Sequence, residues 1–213
     1  MTKSLSIIDR AIVGFDSSLR SVIPHSNQTA RPLPVSSDTL PELSINESRH
    51  VAGLMRINHT GEVCAQGLYH GQAFTAKDQQ VKQAMQHSAD EEIDHLVWCE
   101  TRLDELGSHP SVFTPLWYGL SFGLGAVAGL ISDEFSLGFV AETEAQVSEH
   151  LQDHIDQLPK QDTRSKEILA QMNIEELQHR EAALNHGGKA LSAPVRVSMR
   201  WMANRMKNLA YHL

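Results

Sequence analysis

A chain of 213 residues, 41% of them hydrophobic, suffices for one helical domain with a substantial core and needs no second one. The formal charge of −8 argues against a general nucleic-acid partner, although carboxylates bound to metal would cancel part of it. The two cysteines, Cys64 and Cys99, exclude a thiolate cluster and fit a reducing compartment, each reading as a small core residue.

From Ser4 to Ile23, apolar residues at Leu5, Ile8, Ile12, Phe15, Leu19 and Val22 recur with the period of an amphipathic helix, which Pro24 ends. Asp9 and Asp16 interrupt that stretch, so it does not read as a signal peptide. Residues 24–44, with four prolines, read as an extended loop crossing the outside of a bundle. A helix is expected from about Glu47 to Ala76, a turn at Lys77 and Asp78, and a second helix up to Leu106, stopped by Gly107. Pro115 to Ser132 carries no charge and contains four glycines. It suits either a buried crossover helix or an interfacial segment, and one helix can be both; a single span would strand the two halves of the chain on opposite sides of a bilayer. Trp117 and Tyr118 at its start fit an interface, and Gly119, Gly123, Gly125 and Gly129 form small-residue pairs that permit close helix approach. A further helix begins at Asp162 or Thr163 and ends at Gly187 and Gly188. From Pro194 to Leu213, Arg196, Arg200, Arg205 and Lys207 accompany an apolar face of Val197, Trp201, Met202, Met206 and Leu209, a basic amphipathic helix suited to anionic lipid or to ordinary packing.

The chemistry lies in a repeated pattern. Glu62 is followed by Glu92-x-x-His95, and Glu144 by Glu176-x-x-His179, with 30 and 32 residues between the paired glutamates. Positions three apart share a helix face about 5–6 Å apart and can grip one ion. Four helices each giving a carboxylate, two of them adding an imidazole, make the ligand set of a dinuclear site in a ferritin-like four-helix bundle. Four carboxylates balance two divalent ions, and a mixed carboxylate and imidazole set suits iron or manganese. The apolar stripes select among neighbouring acids: Glu144 aligns with Leu137, Val140, Val147 and Leu151, whereas Glu142 aligns with polar Gln146 and Glu149 and faces solvent. Glu92 aligns with Met85, Leu96, Cys99 and Leu103, Glu176 with Leu169, Met172, Ala183 and Leu184, and Glu62 with Met55, Ala65, Tyr69 and Ala73. Glu91 and Glu175 have no His three residues on. His59 reads as a neighbour of the ligands, Tyr69 as a side chain that orients a carboxylate or relays a proton or electron, and His150 with His154 as an exposed pair.

The expected fold is all-α, a four-helix bundle with extra amphipathic or interfacial helices. Residues 1–44 would form an N-terminal helix and Pro-rich loop, and residues 45–213 the di-iron domain with its basic C-terminal helix.

From about Arg49 onward the chain resembles the bacterial demethoxyubiquinone hydroxylases. RINHTGEVCAQGLYHGQ at 56–72, EEIDHLVW at 91–98, PLWYGLSFGLGAVAGL at 115–130, AETEAQVSEH at 141–150 and EELQHREAAL at 175–184 are similar to that family's signatures. The resemblance implies that Glu62, Glu92, His95, Glu144, Glu176 and His179 bind two irons, with O2 as co-substrate, to hydroxylate the ring of a demethoxyubiquinone or its quinol. The family often places Tyr seven residues after both unpaired glutamates; here Tyr69 follows Glu62 but Leu151 follows Glu144, so no symmetric tyrosine role is implied. Implied partners are a polyprenyl quinone, the cytoplasmic face of a membrane held peripherally, and an external electron donor, whether NADH, a reductase or the quinol itself, since no GxGxxG fingerprint precedes a helix. A homo-oligomer is compatible with this. Three rivals use similar residues: a ferritin-like iron-binding or ferroxidase protein without organic substrate, a dimanganese catalase, and a scaffold with only a polar layer. The charge-free segment at 115–132 argues against storage.

Overall fold

The computed structural model describes residues 7–213, which form seven helices and, among the described residues, no strand: α1 (Ile7–Val22), α2 (Ile45–Thr75), α3 (Gln79–Glu105), α4 (Thr114–Ile131), α5 (Asp133–Gln157), α6 (Thr163–Asn185) and α7 (Ala193–Ala210). Leu5, part of the expected first stripe, lies outside the described residues. The helix starts follow from capping chemistry. Ser44 and Glu47 form a reciprocal capping box at α2, and Asp78, Ser132 and Asp162 accept backbone N–H bonds from Gln80, Phe135 and Ser165 at α3, α5 and α6. Gly107, at φ +64°, ends α3 by taking the left-handed conformation that other residues resist.

Two hairpins, α2–α3 and α5–α6, make the four-helix bundle, and α4 crosses between them while packed along α2. That contact is close because both helices offer glycine. A Cβ on Gly71 would collide with the Phe122 carbonyl, and one on Gly125 with the Leu68 carbonyl. Gly119 and Gly123, expected to share this role, instead face open space; the close approach is made by Gly125 and Gly129 of α4 with Gly67 and Gly71 of α2. The opposite side of α4 is bare, with Leu116 and Leu120 each 53% and Leu130 64% exposed. The charge-free segment is therefore buried on one face and open on the other, consistent with both readings of it.

The bundle core is split in two. One apolar cluster gathers Val51, Met55, Trp98, Leu103, Leu151 and Ile168; the other gathers Tyr69, Met85, Leu137, Val140 and Ala183. The glutamates and histidines of the repeated pattern lie between them along every one of the four helices, as a polar layer sealed at both ends. Residues 24–44 form a strap across the outside: Leu33, Val35 and Leu43 pack on the first cluster, Ser36 bonds Glu167, and Arg164 donates to the Ser37 carbonyl.

Two surface expectations are corrected by α7, whose Met199, Met206 and Ala210 are buried. His150 and His154 are not an exposed pair but are 8% and 5% accessible, with His154 bonded to Asn58 at 2.8 Å. Burial, with Lys207 of α7 nearby, holds them neutral, lowered to about 3 and about 4. Glu142, expected in solvent, is half-buried and bonded to Gln146, which in turn reaches the Arg196 carbonyl of α7. A stripe read along α5 alone could not register the helix laid over it.

Candidate metal centre

The inward faces of α2, α3, α5 and α6 deliver Glu62, Glu92 with His95, Glu144, and Glu176 with His179 into the sealed layer. Five of these are no more than 2% exposed, and the His179 side chain is 10% exposed. One ligand atom from each of Glu62, Glu92, His95 and Glu176 falls within a 4.8 Å group. Nδ1 of His95 lies 2.7 Å from Glu92, 3.3 Å from Glu176 and 3.7 Å from Glu62. Nδ1 of His179 lies 2.8 Å from Glu92 and 4.0 Å from Glu176. Glu144 meets Glu176 and Glu92 from α5, and one of its oxygens accepts the Tyr69 hydroxyl at 2.5 Å. All six side chains thus converge. Glu92 touches both imidazoles and Glu176 reaches toward both, while Glu62 approaches His95 and Glu144 approaches Glu176.

Several inward atoms have no hydrogen-bond partner among the described residues: both Glu92 oxygens, one Glu144 oxygen, and Nδ1 of His95 and of His179. Close approach without aligned hydrogen bonds, between carboxylates and imidazoles in a dry layer, is an arrangement that divalent cations complete. The donor set therefore fits a metal.

Without metal the layer is electrostatically poor. Burial, then the neighbouring carboxylates, pushes Glu62 and Glu144 well above the ordinary carboxylate range. Burial opposes charge on the histidines as well, but the carboxylates prevail: His95 is raised well above its usual value and His179 to about 9. Burial also opposes Glu92, yet the two histidines win and hold it low. A group raised in the folded state binds its proton more readily there than in the unfolded chain, so its contribution to stability is lost as pH rises through the raised value. Glu62, Glu144, His95 and His179 all act in this direction above the ordinary carboxylate value, whereas the contribution of Glu92 is lost only on acidification. Below about pH 7 the lowered His150 and His154 oppose this, because there the unfolded chain binds their protons and the folded chain does not; the metal-free chain is therefore expected to lose stability from about pH 7 to about pH 9, and added divalent metal to abolish that slope. Denaturant midpoints in chelator and in metal check this; a metal-free midpoint that climbs with pH across that range would contradict it.

The outer nitrogens are held too. Nε2 of His95 bonds Glu175 at 2.6 Å, and Nε2 of His179 bonds Glu91 at 3.2 Å. Each acid precedes a ligand glutamate on one helix and clasps the histidine of the other, α6 to α3 and α3 to α6. Such a bond fixes ring orientation and tautomer, leaving Nδ1 to face the centre. Neither acid carried a signal when ligands were sought by Glu-x-x-His alone. The signal was the doubled glutamate, Glu-Glu-x-x-His, present in both halves at 91–95 and 175–179. His59, expected beside the ligands, is buried and bonds Glu100 at 3.3 Å.

The family model described as ubiquinone biosynthesis protein COQ7 matches residues 49–210. A curated protein of Psychrobacter sp. (strain PRwf-1) is 93% identical over 213 residues, covering 100% of both chains. One of Psychrobacter arcticus is 79% identical over 211 residues, 99% of each, and one of Ectopseudomonas mendocina 54% identical over 211 residues, 99% of this chain and 98% of that one. All three bear the name 3-demethoxyubiquinol 3-hydroxylase.

Proposed function

Because the chain belongs to the ubiquinone biosynthesis protein COQ7 family, we propose that it is a monooxygenase hydroxylating the ring of a demethoxyubiquinol, with two irons held by Glu62, Glu92, His95, Glu144, Glu176 and His179. The observation that carries this is Glu92 lying within 2.8 Å of both histidines inside a water-poor layer. All six side chains would hold the metals, Glu92 and Glu176 being the carboxylates that reach toward both histidines. When bound, iron supplies the reduction of O2 and its activation toward the electron-rich ring.

The rest is done by the chain. Tyr69, buried and with its hydroxyl proton held far above its usual range by burial and by Glu144, serves as a neutral donor that orients the Glu144 carboxylate. Trp98, Met172 and Leu151 on one side and Leu137 and Val140 on the other exclude water from the layer. Substrate would come from lipid. α4 is tied to α1, where Ile12 and Phe15 are 60% and 66% exposed, by a bond from the buried Tyr118 hydroxyl to Ser18. On α7, Val197 and Trp201 stay exposed beside Arg196 and Arg205. This supports peripheral contact with the cytoplasmic leaflet, α4 lying along the surface rather than across it. Electrons would arrive from an external donor.

The test is to supply the Fe(II)-loaded chain with a short-tailed demethoxyubiquinol, a reductant and isotopically labelled O2. One labelled oxygen on the ring is expected. Iron oxidised while the quinol returns unchanged would favour a ferroxidase instead.

A further inference from the structure

The two halves of the centre are held by unlike outer supports. Behind His95, Glu175 is itself gripped by a fork: Nη1 and Nη2 of Arg31 reach its two oxygens at 2.6 and 2.9 Å. Nε of the same guanidinium bonds Asp94 at 2.5 Å, and its plane lies over the Trp98 ring at 4.8 Å. Asp94 is fixed in turn by the Thr29 hydroxyl at 2.7 Å and the Ala30 N–H at 2.8 Å. Behind His179, Glu91 has no arginine among the described residues; it meets only His87 and His179, and its side chain is 46% exposed against 12% for Glu175. The pseudo-symmetry of the hairpins is broken by the strap, and Arg31 precedes the residues matched by the family model, which begin at 49.

We propose that Arg31 is a positioning residue for His95, acting through Glu175, and that it makes the two metal positions unequal, the His95 position being the tighter and first filled. This rests on the dimetal reading above. A metal-binding imidazole gains affinity when its far nitrogen is anchored by a carboxylate that cannot wander. A bidentate guanidinium leaves Glu175 one orientation, with one oxygen directed at His95, whereas Glu91 in solvent can swing.

The experiment is an anaerobic Fe(II) titration of the full metal-free chain, followed by Mössbauer spectra of the loaded protein. The wild type is expected to take iron in two unequal steps with two distinguishable iron environments. Arg31→Ala should weaken the tighter step about tenfold to a hundredfold, the range for loss of an outer support, and alter one environment only. Arg31→Lys, which keeps the charge but not the fork, should recover part of the loss. Glu167→Gln, which loosens the strap at Ser36 away from the histidines, should leave both steps unchanged. Should Arg31→Ala fold poorly, Arg31→Lys against the wild type carries the comparison. Two equal steps in the wild type, wild-type affinities in Arg31→Ala, or an equal loss in Glu167→Gln would each overturn the role of Arg31 while sparing the dimetal reading. A wild-type chain that takes no iron overturns that reading, and this one with it.

Discussion

Glu92→Ala is expected to fold as the wild type does, to bind iron at neither position, and to have no measurable hydroxylase activity. Glu92 approaches both imidazoles more closely than Glu176 does, 2.7 Å from His95 and 2.8 Å from His179, and each of its oxygens faces a different histidine. On the proposed reading, removing it takes a ligand from both metal positions and a negative charge from the layer that would balance two dications. The loss in affinity should exceed the roughly hundredfold upper range for a merely supporting residue. Glu62→Ala or Glu144→Ala, which takes away one carboxylate, should leave a residual single-ion affinity. Glu142→Ala supplies the control on the same helix as Glu144, because its carboxylate bonds Gln146 under α7 and touches none of the six. Iron content after desalting, circular dichroism and turnover of short-tailed quinol decide the matter; full iron in Glu92→Ala would remove it from the ligand set.

How far the site could be read beforehand follows from what a stripe measures. A stripe reports where a Cβ points on one helix, and this was enough to bring Glu62, Glu92, Glu144 and Glu176 to one layer, since each sits in line with core residues above and below. The bundle was legible for the same reason, helped by Asp162 and Gly107 at helix ends. What a stripe cannot report is which other helix lies alongside. The clasp of Glu175 on His95 exists only because α6 runs beside α3, and a glutamate one position off the inward stripe is long enough to reach around. His150 and His154 read as exposed because nothing in α5 reveals that α7 covers them. The glycines misled in a related way: a spacing of small residues fits two faces of α4, and only the matching Gly67 and Gly71 on α2 select the face of Gly125 and Gly129. Arg31 was least visible, the lone arginine in a proline-rich loop, whose meaning depends on two acids far along the chain.

Replacing Leu120 and Val127 together by Glu is expected to release the chain from lipid vesicles and to depress turnover of a long-tailed quinol, without changing iron content or turnover of a short-tailed one. Both residues lie on the bare side of α4, 53% and 57% exposed, so neither supports the bundle and the double variant should keep its helices and its melting behaviour. Fully burying a Leu or Val side chain is worth about 1.5–3 kcal/mol, and insertion of a charge adds a penalty of similar or greater size, so the pair would remove most of the partitioning energy a single interfacial helix can supply. The metal layer lies on the other side of α2, which separates an effect on docking from one on chemistry: Gly71 and Gly125 hold α4 against that helix whatever its outer face carries. Vesicle cosedimentation with anionic and with neutral lipid measures the first, and the ratio of long-tailed to short-tailed turnover the second. Binding that persists on anionic vesicles but fails on neutral ones would shift the anchoring role to Arg196, Arg205 and Trp201 of α7; binding that persists on both would sink the assignment of α4 to the membrane.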